Sequence, residues 1–188
     1  MIKKWSCFLF SLFALCLFIT GCTLGVVNYS SSELVNWSAK IAVIPFSNYT
    51  ETPLAGERAM SITAAILETR GLRHLVVYQN QDRSNVLLPG MNQDKSRQSL
   101  LQWAKSSGAR YVMTGSVNEW TYKVGLDGEP VVGLSVQLIE LPSKRIVWTA
   151  VGGVSGGSRI AVSTVAQKLI NSLLDGLFRS GRIHPYES

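Results

Sequence analysis

The chain predicts an α/β domain on a mixed five-stranded sheet, in the order β-α-β-α-β-β-β-α. Three observations carry that expectation. Short apolar runs alternate with segments of helical periodicity in the first half; three long strand-like runs follow with only turn-rich links between them; and a last segment carries a wide apolar stripe at helical spacing.

Lys40-Ile-Ala-Val-Ile-Pro45-Phe46 is an apolar run closed by proline and reads as a buried first strand. Ser47 to Pro53 is a polar loop. From Ala55 to Thr69, the residues Ala59, Ile62, Thr63, Ile66 and Leu67 recur at three and four positions, which places them on one helical face. Gly71 follows as the residue that ends such a helix, because it tolerates the left-handed backbone. His74-Leu-Val-Val-Tyr78 is the second strand, and Ser96 to Ser107 a second helix on Leu100, Trp103 and Ala104, stopped by Gly108. Arg110 to Tyr122, Val131 to Leu141 and Arg145 to Gly152 read as three strands of an antiparallel meander. Val162, Val165, Ala166, Leu169, Leu173 and Leu177 then mark the third helix. The helical links permit right-handed crossovers between parallel strands.

The first residues assign a compartment. Lys3 and Lys4 form a positive region, the run from Trp5 to Ile19 is apolar, and Ile19-Thr20-Gly21-Cys22 closes it with small residues before a cysteine. That order is expected of a bacterial lipoprotein signal spanning residues 1–21, with Cys22 lipidated (diacylated at sulfur, then acylated at its amino group). An apolar run of about 15 residues is shorter than the roughly 20 needed to span a bilayer. Thr23 stands where an aspartate often marks retention in the inner membrane, so the periplasmic face of the outer membrane is the expected location.

Residues 22–38 contain Asn28, Ser30, Ser31, Ser32 and Asn36 and read as a tether, 39–180 as a single periplasmic domain, and 181–188 as a tail. Fully extended, such a tether reaches at most ~55 Å. Cys7 and Cys16 leave with the signal and Cys22 carries lipid, so no disulfide is expected. Loss of Lys3 and Lys4 lowers the formal charge from +6 to +4, spread without a basic run, which argues against a nucleic-acid partner.

Gly153-Val154-Ser155-Gly156-Gly157 matches the letters of a nucleophile elbow, with Asp175 and His184 following in hydrolase order. Asp175 falls within the third helix and His184 in the polar tail, so the residues are poorly placed for a triad. With His74 and His184 as the only histidines, no metal site or cofactor is expected. His74 at a strand start reads as structural, and Glu119, Asp127 and Glu129 flank a turn. The expectation is therefore a protein that is not an enzyme.

The opening Ile41-Ala-Val-Ile-Pro45-Phe46-Ser47-Asn48-Tyr49-Thr50, followed by Gly56-Glu57, resembles the periplasmic lipoprotein fold shared by curli secretion channels, penicillin-binding-protein activators and TolB N-terminal domains. A more specific set is Gly108-Ala-Arg-Tyr-Val-Met-Thr-Gly-Ser116, Glu119-Trp120-Thr-Tyr122, Lys123 to Gly133 around Asp127-Gly128-Glu129-Pro130, and Arg145-Ile-Val-Trp148. It resembles the PelC family, outer-membrane lipoproteins of Pel exopolysaccharide export, over roughly residues 40–180. The resemblance implies a homo-oligomeric ring, a dodecamer, with aromatic side chains toward the lipid. It also implies an electronegative funnel that guides a cationic polysaccharide to an outer-membrane porin, as in biofilm matrix export.

Trp148, Trp120 and Tyr122 are the membrane-facing candidates under that resemblance, because an aromatic ring with a polar handle suits the headgroup level. Core packing accounts equally well for Trp148, since Ile146, Trp148 and Ala150 share one side of a strand, and core or hairpin packing for Trp120 and Tyr122. Asp127, Glu129 and Glu119 are the funnel candidates, each repeated once per subunit. Asp127-Gly128 is equally a good turn sequence. The chain lacks the extra hairpins of a curli-type channel and the long linker of a synthase activator that crosses the cell wall. The alternative is a monomeric lipoprotein adaptor or activator of a cell-envelope synthase.

Overall fold

A computed structural model describes residues 25–31, 35–79, 93–124 and 128–179. Residues 1–24 with Cys22, Asp127 and the 181–188 tail with His184 lie outside the described residues. The strands are β1 (Gly25–Ser31), β2 (Ile41–Val43), β3 (Ser47–Asn48), β4 (Leu75–Val77), β5 (Tyr111–Tyr122), β6 (Pro130–Glu140) and β7 (Arg145–Ser155). The helices are α1 (Ala55–Thr69), α2 (Gln93–Ser106) and α3 (Val162–Arg179). They form one mixed sheet in the order β1-β7-β6-β5-β2-β4, with β3 also paired to β5.

The class is the expected one, while the strand count is seven rather than five. Pro45 has no N–H to donate and interrupts the first expected strand, which resumes as β3 beside Ser116 and Val117. The second added strand, β1, lies within the stretch that reads as a tether. It pairs antiparallel with β7 along its whole length, from Gly25 opposite Val154 to Ser31 opposite Trp148. Residues 35–38 are also held. The Asn36 N–H donates to the Tyr111 hydroxyl at 3.2 Å, and Trp37 stacks on Phe178 with ring centroids 6.5 Å apart. Polar residues disguised β1 because an edge strand leaves alternate side chains in water.

β2 runs parallel to both β4 and β5, so α1 and α2 are the two crossovers. They lead in opposite directions across the sheet and therefore lie on opposite faces. α1 and α3 cover one face with the larger core, built on Leu67, Ile170, Leu173 and Leu174 against Met113, Leu134 and Trp148. α2 covers part of the other, packing Ala104, Leu100 and Trp103 on Ala42, Ile44 and Val112. Each of these large side chains contributes about 1.5–3 kcal/mol on full burial.

Two glycines end the crossover helices as the sequence implies. Gly71 (φ +88°) lets the Leu72 N–H reach the Leu67 carbonyl at 3.2 Å, and Gly108 (φ +77°) lets Ala109 reach Ala104 at 3.2 Å. Two others permit close approach around Phe46. A Cβ on Gly115 would overlap the Phe46 ring and the Ser135 carbonyl, and one on Gly56 the Phe46 carbonyl. No helix among the described residues is long and apolar enough to cross a membrane.

Candidate functional site

One end of the sheet gathers most of the residues singled out above. Along its rungs Gly25 stands opposite Val154, Val154 opposite Val132, and Val132 opposite Trp120. Moving backward from Gly25 leads in the same direction as moving forward along β5 to Tyr122, which pairs with Pro130. Cys22 is three residues before Gly25, a separation of at most about 11 Å. The chain therefore enters β1 at the end of the sheet where the β5–β6 hairpin lies.

Tyr122 is exposed there, and its phenolic oxygen accepts a hydrogen bond from the Val162 N–H at 3.1 Å. Val124, two residues on, is fully exposed. The hairpin is closed by the Lys123 N–H donating to the Glu129 carbonyl at 2.8 Å, and Gly128 takes the left-handed backbone (φ +51°). Glu119 and Glu129 are both exposed, with Glu119 on the rung opposite Gly133. Asp127, between them in the chain, lies outside the described residues.

The loop from Tyr49 to Leu54 flanks the hairpin. Asn48 organises it: its Oδ1 accepts from the Thr50 N–H at 3.0 Å and the Thr50 hydroxyl at 2.8 Å, and its Nδ2 donates to the Thr52 carbonyl at 2.8 Å. The Thr52 hydroxyl donates to the Trp120 carbonyl, and the Tyr49 N–H to the Val117 carbonyl at 2.9 Å. So fixed, the loop leaves Tyr49 and Leu54 in water. Leu54 does so in the left-handed region (φ 60°, ψ 18°) at the start of α1, with no side-chain cap. Such a conformation costs a non-glycine residue roughly 1–2 kcal/mol. The sequence reading missed Tyr49, Leu54 and Val124; a tyrosine and a leucine inside an otherwise polar loop were the available signal.

The two tryptophans take the core position, the packing alternative of the two readings. Trp148 is 1% exposed and Trp120 2%, both in the core beneath α3 rather than at a surface. A register shift between Val117 and Glu119 turns Trp120 to the face that Met113 and Val117 occupy. A second shift between Leu138 and Ile139 breaks the expected Ile146, Trp148, Ala150 side, leaving Ile146 exposed while Trp148 and Ala150 are buried. The indole N–H groups of both, and that of Trp37, are buried with no hydrogen-bond partner among the described residues. Of the three aromatic candidates, Tyr122 alone is at the surface.

Among the described residues, the elbow letters are held by other pairings, and His184 lies outside them. Ser155 is the last residue of β7, opposite Val131, and the Gly156 N–H donates to the Pro130 carbonyl at 2.8 Å. Asp175 is bound to Arg70 at 2.6 Å. His74 is exposed and its carbonyl accepts from the Ile41 N–H at 2.9 Å. No group of His, Cys, Asp and Glu that could hold a metal ion occurs among the described residues. The clearest electrostatic perturbation is remote, in the β6–β7 turn, where Arg145 (2.8 Å) and Arg110 (3.2 Å) hold the Glu140 carboxyl below its usual range.

The mixed α/β sheet with helices on both faces defines the class of fold, and the chain is similar in fold to lipoprotein GNA1162 from Neisseria meningitidis, at 16% identity and a TM-score of 0.53 over 75% of this chain and 99% of that one. The PelC dodecamer from Paraburkholderia phytofirmans is similar at 38% identity and a TM-score of 0.67, over 82% of this chain and 97% of that one. A singly substituted form of that PelC, also a dodecamer, matches at 38% identity and a TM-score of 0.67 over 80% and 96%. The chain belongs to the PelC family. No protein-family model and no curated protein sequence matches it.

Proposed function

We propose that this chain is a non-enzymatic subunit of a periplasmic ring, acylated at Cys22 in the outer membrane, that guides a cationic exopolysaccharide of Pel type to its outer-membrane porin. The observation that supports it is the convergence, at one end of the sheet, of the Gly25 terminus with exposed Tyr122, Val124, Tyr49 and Leu54. Acyl chains contribute about 0.8 kcal/mol per buried methylene, and these side chains lie where they would share that interface. Tyr122 takes the part first given to the tryptophans, its ring in the headgroup layer and its hydroxyl bonded to α3. The dodecamers of P. phytofirmans PelC supply the assembly. In a ring, Glu119 and Glu129 recur once per subunit near one end, and Asp127 adds one further carboxylate per subunit, so that a chain of net positive charge still concentrates negative potential along a central path.

Two measurements test this reading. Native mass spectrometry of the detergent-solubilised acylated protein is expected to show a closed oligomer; a monomer at all concentrations would return the chain to the adaptor alternative. An Asp127→Lys, Glu129→Lys double variant is expected to fold and assemble but to stop polymer secretion. Undiminished secretion would remove those carboxylates from the path.

A further inference from the structure

The exposed large apolar side chains fall into two groups. Tyr49, Leu54, Tyr122 and Val124 belong to the end just described; Tyr29, Ile146 and Val151 do not. The second group lies on β1 and β7, along one border of the sheet. Tyr29 is 58% exposed although its ring lies against Gly176 of α3, where a Cβ would come within 2.8 Å of it. Val151, 47% exposed, sits on the rung beside Asn28.

β1 is also a bare edge. Its inner side pairs with β7 and no strand covers its outer side among the described residues. Proteins that leave an edge open to water protect it with charge, proline or a bulge. Gly25-Val-Val-Asn-Tyr-Ser-Ser31 has no charged residue and no proline, and its pairing to β7 runs through seven rungs without a shift. An exposed tyrosine beside unpaired backbone groups is the composition of an interface centre.

The opposite border of the sheet supplies a match. β4, Leu75-Val-Val77, is likewise uncharged. Tracing the pairings from β1 through β7, β6, β5 and β2 shows that β1 runs antiparallel to β4. Two copies placed side by side in the same orientation would thus bring antiparallel edges together; the pairings set Val77 level with Ser31, and a shift of three residues along the strands sets Tyr29 opposite Val76, so that all three residues of β4 lie against β1. A contact between different edges is heterologous and closes into a ring when its rotation allows. We propose that the outer edge of β1, centred on Tyr29, binds the β4 edge of a second copy of this chain. The proposal rests on the ring reading and adds the surface that forms it.

The test uses the full acylated chain in detergent. Asn28→Cys or Ser30→Cys, each combined with Val76→Cys, is expected to give on mild oxidation a ladder of covalent multimers that neither single variant gives. Asn28→Lys with Ser30→Lys should reduce the oligomer to monomer in native mass spectrometry, and Tyr29→Ala should raise its dissociation concentration at least tenfold. Two results overturn the proposal while leaving the ring intact: wild-type rings with no ladder from either double cysteine variant, or folded lysine variants that still form rings. Cross-linked dimers from Asn28→Cys by itself would replace the β1–β4 contact with a β1–β1 contact. A monomeric wild type would instead overturn the ring reading, and this contact with it. If the lysine variant fails to fold, the cysteine ladder decides.

Discussion

The Tyr122 hydroxyl receives the Val162 N–H at 3.1 Å, so a side chain leaving the end of β5 closes the first turn of α3. That bond ties the hairpin to the helix whose apolar stripe builds the main core. Tyr122→Phe keeps the ring and removes the acceptor, and is expected to lower stability by about 1 kcal/mol in urea denaturation. Vesicle association should be unchanged, since the ring is retained.

Val124→Asp and Tyr49→Asp address the surface itself. In an acyl-free Cys22→Ser chain, each should weaken flotation with lipid vesicles by about tenfold, as expected when an apolar side chain worth roughly 1.5–3 kcal/mol no longer inserts. Urea midpoints should stay near wild type because both side chains face water.

Trp148 and Trp120 behave oppositely. Trp148→Ala and Trp120→Ala should each destabilise the fold by about 3–5 kcal/mol. The folded fraction of either variant should float with vesicles as the wild type does. A selective loss of vesicle binding with unchanged stability would contradict their burial at 1% and 2%.

Leu54 holds a left-handed backbone at the α1 N-terminus without a side-chain cap. Leu54→Asn suits that conformation and introduces a capping residue type, so it should raise stability by about 1 kcal/mol. The same change should reduce vesicle association, which would identify the strained leucine as retained for contact rather than for folding.

Acid sensitivity has one nameable source in the β6–β7 turn. Arg145, and then Arg110, hold the Glu140 pKa below its unfolded value. Its contribution is therefore present above the ordinary carboxylate range and disappears as pH falls through the lowered value. Glu140→Gln should flatten the decline of the urea midpoint between neutral pH and pH 3, with little change in fold.

The helices were legible because their signals are local. Ala55–Thr69 follows from apolar spacing with Gly71 beyond it, and the helix ends at Thr69 in the structure. The long strands of the meander emerged for the same reason. β1 did not, because Asn28, Tyr29 and Ser30 face water and the strand exists only through its pairing with β7. The tryptophan positions were illegible for a different reason. An inserted residue at each register shift changes which side chains share a face, and a strict period of two cannot reveal it. Asp127 lies outside the described residues, so the funnel residues rest on Glu119 and Glu129 for their placement at the hairpin.

The early start of β1 alters what an acyl group at Cys22 would do mechanically. A long tether lets a domain tumble, and each encounter must then fix its orientation anew, an entropic cost of several kcal/mol per association. With only two residues between an acyl group at Cys22 and a strand paired along its full length, most of that freedom would be surrendered on insertion into the bilayer. Copies would meet as upright bodies diffusing in two dimensions, each border held at a fixed height above the bilayer. Encounter becomes a search over lateral position and a single rotation about the membrane normal, so even a contact too weak to assemble in bulk solution could close a ring.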